Sequence, residues 1–167
     1  LYGFVGNGPT DSIDEFGLSK RKTALGYVVQ GTDHHTIPVS VWDEIPFDLQ
    51  AQQFLDSGAA RIPAGGSHNA SAHPRYTHEI RVEFENFLQS KAGAKFNGKA
   101  SLGEDAAKAF VAHVKCTKNP FVTGFNKAVE GGTPSVQKWF AEVGESIPPS
   151  TVKSKFWQKA AGRLGKR

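Results

Sequence analysis

Consecutive side chains in an extended chain leave opposite faces of the strand, so the dipeptide His34-His35 restricts local folding more than any other stretch of this sequence. Both imidazoles can serve one site only where a strand ends or bends. The flanks offer this: Leu25-Gly26-Tyr27-Val28-Val29-Gln30 predicts a strand, Gly31 interrupts it, and Ile37-Pro38 keeps the chain extended afterwards. A second group follows at Ser67-His68-Asn69-Ala70-Ser71-Ala72-His73-Pro74-Arg75-Tyr76. Five of the six histidines lie between positions 34 and 78, which concentrates the groups able to take a proton or hold a metal at neutral pH in the first half. Asn69 and His73 share one face if a helix begins here, Pro74 suits its first turn, and His68 would reach inward from the preceding loop. An isolated His-His pair is by default one hydrogen-bonded core imidazole and one solvated imidazole. The second cluster is what favours a site.

Composition narrows the chemistry. A chain of 167 residues with 38% hydrophobic and 11% aromatic content can bury a core as one ordinary domain with appendages, while 18 Gly and 9 Pro predict a loop-rich body. The single Cys116 excludes an internal disulfide and a Cys-ligated structural zinc, so any metal must be held by His, Asn or carboxylate. Internal repeats and glycine-rich phosphate loops of Walker or Rossmann spacing are missing. The chain has no apolar run long enough for a membrane span and no charged-then-apolar leader before residue 30. The expectation is a soluble chain without an integral membrane segment, whose export would use another signal. A net charge of +4 argues little for a polyanionic partner, but from Lys153 to Arg167 there are six basic residues and no acidic one.

The pattern predicts an α+β fold. Ile37–Trp42 alternates as a half-buried strand with Trp42 in the core, 43–54 predicts a short helix over the site, and Ala59–Ala64 a further strand before the Gly65-Gly66 turn. The clearest helix is 75–91, with Tyr76, Ile80, Phe84, Phe87 and Leu88 on one face and Arg75, Arg81, Glu85 and Lys91 on the other. His78 on this helix is expected to be solvated or at the edge of the core. Helices over 106–114, with His113 solvated, and 136–143, with Trp139, Phe140 and Val143 inward, follow. In a last helix Val152, Phe156, Ala160 and Leu164 form an apolar stripe beside the row Lys155, Lys159 and Arg163. That row is a solvated face by default and a DNA-backbone clamp on the functional reading.

Asp33-His34-His35-Thr36-Ile37-Pro38, a short strand ending near Arg61-Ile62-Pro63, and a His-rich turn running into His73-Pro74-Arg75-Tyr76 together resemble the HNH endonuclease superfamily. The nearest branch is the toxin-type nucleases with an Ala-His-His or Gly-His-His start and a His-Pro-x-Tyr helix opening. The resemblance implies a ββα-metal kernel clasping one divalent ion. By position, His34 resembles the first metal ligand, His35 the general base and His73 a metal ligand from the helix. The remaining ligand is either Asn69, at the family's spacing of four before His73, or His68 just ahead of it. This chain departs from the branch at Asp33, where Ala or Gly is usual, and has Ser57-Gly58 near the place of an Asn-Gly. Arg75 is the candidate for meeting transition-state charge.

Residues 1–18 contain the turn Gly6-Asn7-Gly8-Pro9 between two short apolar stretches. They resemble the end of the core repeat of Rhs proteins, secreted β-shell polypeptides that carry a variable toxin at the C-terminus. Asp14-Glu15-Phe16-Gly17-Leu18 corresponds to that family's Asp-Pro-x-Gly-Leu, with Glu15 in the place of Pro. Asp14, Gly17 and Leu18 thus mark a self-cleavage segment, and a plain linker is the alternative. Ser19–Thr23 is a basic hinge.

The whole implies an Rhs tail at 1–18, a linker at 19–23, and an HNH-like toxin domain at 24–167 with its kernel over 24–92 and a helical accessory layer over 93–167. The expected activity is hydrolysis of phosphodiester bonds in DNA, or RNA, with His35 deprotonating water beside one divalent metal. Mg²⁺ is the first expectation, and Zn²⁺, Ni²⁺, Co²⁺ or Mn²⁺ the alternatives that imidazole suits. Expected partners are DNA, a cognate immunity protein and the Rhs shell. The toxin would be made in the cytoplasm, exported by a secretion system and active in the cytoplasm of the target cell. Two other classes stay open. One is a different toxin chemistry behind the same tail, although a deaminase would need a Cys-x-x-Cys pair that this chain lacks. The other is a non-enzymatic binding or immunity-type module, which would leave His34, His35 and His73 apart.

Overall fold

His34–His35 is itself a strand, β1, and bends on both sides confine it to those two residues. It pairs antiparallel with β2 (Arg61–Ile62), His34 opposite Ile62 and His35 opposite Arg61, and Thr36 N–H donating to Ala60 O extends the ladder by one bond. This is a computed structural model that describes residues 21–30, 33–65 and 72–152. The cleavage segment with Asp14, Gly17 and Leu18, the alternative ligands His68 and Asn69, and the row Lys155, Lys159 and Arg163 lie outside the described residues.

Between the strands run α1 (Val39–Trp42) and α2 (Leu49–Leu55). The expected strand over 37–42 is therefore corrected to a helical turn. Ile37, Val39, Val41 and Trp42 are all buried, and the Trp42 indole N–H donates to Ile37 O at 2.9 Å, a bond that closes the turn. With apolar contacts available all round, the alternation Val-Ser-Val selects no face. Trp42 is in the core, as expected. The expected strand at 25–30 reduces to a single bridge between Lys22 and Val28 around a turn, where Gly26 takes φ +87° and Leu25 is half exposed. The short helix expected within 43–54 is α2; Asp48 caps it by accepting from Ala51 N–H at 2.8 Å.

The long helix α3 (His73–Gln89) has Pro74 in its first turn and buries Tyr76, Ile80, Phe84 and Phe87. Glu85, expected on the solvent face, is buried as well, because further helices cover that side. After α3 come α4 (Glu104–Lys115), α5 (Pro120–Ala128) and α6 (Gly132–Glu142). α4 packs on α2 and α3, and α5 packs on α3 and α6. Phe110, Val111 and Val114 of α4 point inward as expected, whereas Val143 lies beyond α6 and is exposed. On α6 the buried apolar residue is Val136, with Trp139 and Phe140 half-buried against the core. α5 was not foreseen: Asn119 accepts from the N–H groups of Phe121 and Val122, and Pro120 occupies the first turn, so the proline starts a helix here. One cluster of buried apolar residues runs from Val29 to Val136, so the small sheet and the helical layer share a core. No helix among the described residues is long and apolar enough to cross a membrane.

Candidate functional site

Antiparallel pairing with β2 sends the His34 side chain inward, where it is 1% exposed. Its Nε2 lies 2.9 Å from Asn126 Oδ1, on α5. The ring meets Tyr76 edge-on at 4.9 Å between centroids and Phe125 at 5.4 Å, and Tyr76 and Phe125 stack on each other at 4.6 Å. His73, the first residue of α3, is half-buried and stands edge-on to His34 with centroids 6.0 Å apart. It too rests on Phe125 and Tyr76. Two imidazoles from remote parts of the chain thus meet on an aromatic floor. Tyr76 donates its hydroxyl proton to Thr36 O at 2.8 Å, and burial holds its phenol far above the ordinary range.

His35 leaves the other face of β1 and has a different set of neighbours. Its ring lies edge-on to Trp42 at 5.3 Å, and its Nε2 is 2.8 Å from Asp56 Oδ1. Asp56, the residue that closes α2, is 2% exposed; its Oδ2 accepts from Tyr27 Oη at 2.9 Å and from Gln30 N–H at 2.7 Å. Arg61 braces the carboxylate: Nη2 is 3.7 Å from Oδ1, and Nε donates to Asp56 O. Burial pulls the His35 imidazole below its ordinary value, against the opposing pull of the Asp56 hydrogen bond and charge. At neutral pH the contact is therefore a neutral Nε2–H donating to a carboxylate instead of an ion pair. That tautomer leaves the lone pair on Nδ1.

The remaining predicted positions have structural partners. Arg75 Nε donates to Glu79 at 2.9 Å, its Nη2 to Ile147 O at 3.0 Å, and its guanidinium lies over the Phe121 ring at 4.5 Å. Glu79 also accepts from Asn119 Nδ2 and Ser150 N–H. Burial alone would raise the Glu79 carboxyl, but the bonds from Ser150, Asn119 and Arg75 outweigh it and hold the group below its usual value. Arg75 thus ties the 147–150 segment to α3. His78 sits at the core edge and bonds Ser150 O at 2.7 Å. His113, expected to be solvated, is half-buried and bonded to Glu83 at 3.0 Å, because α4 crosses α3 at that point.

Among the described residues no three His, Cys, Asp or Glu side chains gather as a metal-holding group. The His34 and His73 imidazoles nevertheless fit two places in a nitrogen-rich divalent site, since both are neutral-donor rings brought together from separate elements. Two residues of the site were missed in the sequence, Asn126 and Asp56. Asn119-Pro120 followed by Phe121 and Phe125 at helical spacing could have revealed α5 and its inward face, but nothing local singles out Asp56. Comparison with family models, with curated proteins and with solved structures finds no match to this chain.

Proposed function

We propose that this chain is a metal-dependent endonuclease that hydrolyses phosphodiester bonds, with DNA the first substrate class to test and RNA the second. The observation that carries the reading is the meeting of His34, on β1, with His73, at the start of α3, ring to ring. The order β1, β2, α3 adds support, as does the His35–Asp56 pair on the other face of β1. Approach of the two imidazoles argues against a non-enzymatic module, in which they would have no reason to meet.

On this reading Nδ1 of neutral His35 takes a proton from the attacking water, and Asp56 holds the ring through Nε2–H and stabilises the imidazolium that forms. His34 and His73, with His68 or Asn69, would hold a divalent ion that neutralises charge on the scissile phosphate and leaving oxygen. Tyr27 and Arg61 keep Asp56 in register. The biological setting we propose is an Rhs-delivered toxin with a cognate immunity protein, resting on the sequence of residues 1–18.

Nicking of supercoiled plasmid with Mg²⁺, Mn²⁺, Zn²⁺ or Ni²⁺, against a chelator control, tests the chemistry. His35→Ala should slow cleavage by about 10²- to 10⁴-fold, the usual contribution of a general base. Chelator-insensitive cleavage, or a His35→Ala protein as fast as the parent, would overturn the reading. Toxicity on expression, relieved by the product of a neighbouring gene, tests the setting separately.

A further inference from the structure

His34 makes its one defined hydrogen bond through Nε2, and the partner is an amide whose two ends differ in chemistry. Oδ1 can only accept and Nδ2 can only donate. The identity of the end that faces His34 therefore decides which ring nitrogen carries the proton. Local contacts fix that identity. The Asn126 side chain also hydrogen-bonds the Tyr76 hydroxyl. That hydroxyl is fully buried and spends its proton on Thr36 O at 2.8 Å. Towards Asn126 the phenol oxygen can only accept, so Nδ2 must face it and Oδ1 must face His34 Nε2, 2.9 Å away. Reversing the amide would set oxygen against oxygen at Tyr76 and leave a buried group without its bond.

We propose that Asn126 is a positioning residue: the chain His34 Nε2–H to Asn126, Asn126 Nδ2–H to Tyr76, and Tyr76 O–H to Thr36 O locks His34 in the Nε2–H tautomer, so that the ring offers its lone pair at Nδ1. In water a neutral imidazole exchanges between tautomers, and a ligand that must first shift its proton binds a cation less well. The partially exposed Asn126 supplies the acceptor from α5, the buried Tyr76 supplies the orientation from α3, and the Thr36 carbonyl anchors the end next to β1. Three separate elements thus agree on one proton position. The metal part of this inference rests on the proposed function; the tautomer part does not.

The test is ¹⁵N long-range NMR of the histidine rings in the metal-free full chain at about pH 8, where imidazole is neutral. His34 signals are assigned by their loss in His34→Gln. The parent should be protonated at Nε2 alone. Asn126→Asp keeps an acceptor facing the ring and should keep that tautomer, whereas Asn126→Leu should give a mixture. Tyr76→Phe removes what orients the amide, leaves the aromatic floor, and should also give a mixture; it carries the test if the Leu protein does not fold. Titration with Zn²⁺ alone should show binding weakened about 10- to 100-fold in the Leu or Phe variant and not in the Asp variant. A parent protonated at Nδ1, or a Tyr76→Phe protein with the parental tautomer, overturns the inference. If the tautomers behave as stated but no variant, parent included, binds Zn²⁺, Mn²⁺ or Mg²⁺, the relay stands and the metal-dependent reading falls.

Discussion

Replacing Asp56 by Asn removes one charge and changes the site by almost no volume, and its consequence can be worked out from the donors around it. Oδ2 receives two, Tyr27 Oη at 2.9 Å and Gln30 N–H at 2.7 Å, whereas Oδ1 receives His35 Nε2 at 2.8 Å. An amide has one oxygen to offer. With the oxygen towards His35, the backbone N–H of Gln30 would face an NH₂ group, and an unsatisfied buried donor costs about 1 to 3 kcal/mol. With the oxygen towards Tyr27 and Gln30, the NH₂ faces His35, which can answer by moving its proton to Nδ1. The second arrangement is favoured, and its population ratio of about 5- to 150-fold is the expected loss in kcat, since only the minor tautomer keeps a basic Nδ1. Single-turnover nicking at saturating metal reads this loss, with KM unchanged and a denaturation curve to show that the variant is folded. A purely electrostatic role for Asp56 makes a different prediction. Removing the carboxylate would let burial lower His35 further, and the acid limb of the pH–rate profile would move to lower pH with the plateau preserved. A folded Asp56→Asn protein with plateau activity within about twofold of the parent would refute the tautomer reasoning.

Acid should weaken the fold through Glu79 and Glu83, whose carboxyls are both held below the model value of 4.5 by bonds to their partners. The unfolded chain then binds more protons, so the contribution is full above that value and is lost as pH falls through the lower folded values; urea midpoints measured against pH should drop there in the parent and less steeply in Glu79→Gln. Gly124→Ala should destabilise by about 1 to 3 kcal/mol despite the better helix propensity of Ala. The new Cβ would lie 2.6 Å from Trp139 Cζ2, in an indole wedged against Phe121 and Phe125, and a variant at least as stable as the parent in urea would contradict this packing. Deleting Thr151–Arg167 should weaken DNA binding and flatten its salt dependence by about 0.9 in log–log slope per lost phosphate contact. An unchanged slope would show that the basic row is only solvated.

What could be read in the sequence follows the length of the signal. Tyr76, Ile80, Phe84 and Phe87 repeat over the whole of α3, and Phe110, Val111 and Val114 mark α4, because several turns of amphipathic helix leave a period that no strand shares. Val39 and Val41 span a single turn, where helix and strand patterns coincide, so only the tertiary bond from Trp42 to Ile37 O decides between them. His113 shows the second limit. Its solvation depended on whether α4 would bring it to Glu83, and that is a property of helix packing. The site divides the same way. His34 and His73 stand out because histidine is rare and chemically distinctive, but Asn126 and Asp56 are residue types that serve most often as caps and turns. Their roles come from what they face, Tyr76 and His34 in one case and His35 and Gln30 in the other.

The two histidines of β1 both turn Nε2 towards a partner in the fold, yet the partners differ in a way that matches two kinds of work. Asn126 offers His34 a neutral oxygen, which accepts the Nε2 proton but brings no charge to stabilise an imidazolium. Asp56 offers His35 a carboxylate, which orients the neutral ring and also stabilises the cation once a proton has been taken. The first arrangement favours donation of a lone pair to a cation, and the second favours repeated gain and loss of a proton. Exposure differs in the same sense, since His34 is 1% exposed while 11% of the His35 side chain reaches solvent, the route by which a proton must leave. Exchanging the two partners should therefore be more damaging than its volume change suggests. In Asn126→Asp a carboxylate beside His34 would strengthen its tendency to take a proton, in competition with a metal ion. In Asp56→Asn the base would lose both its orientation and the charge that rewards protonation. The alternation that sends the two rings to opposite faces of a two-residue strand thus also assigns each ring to a different electrostatic partner.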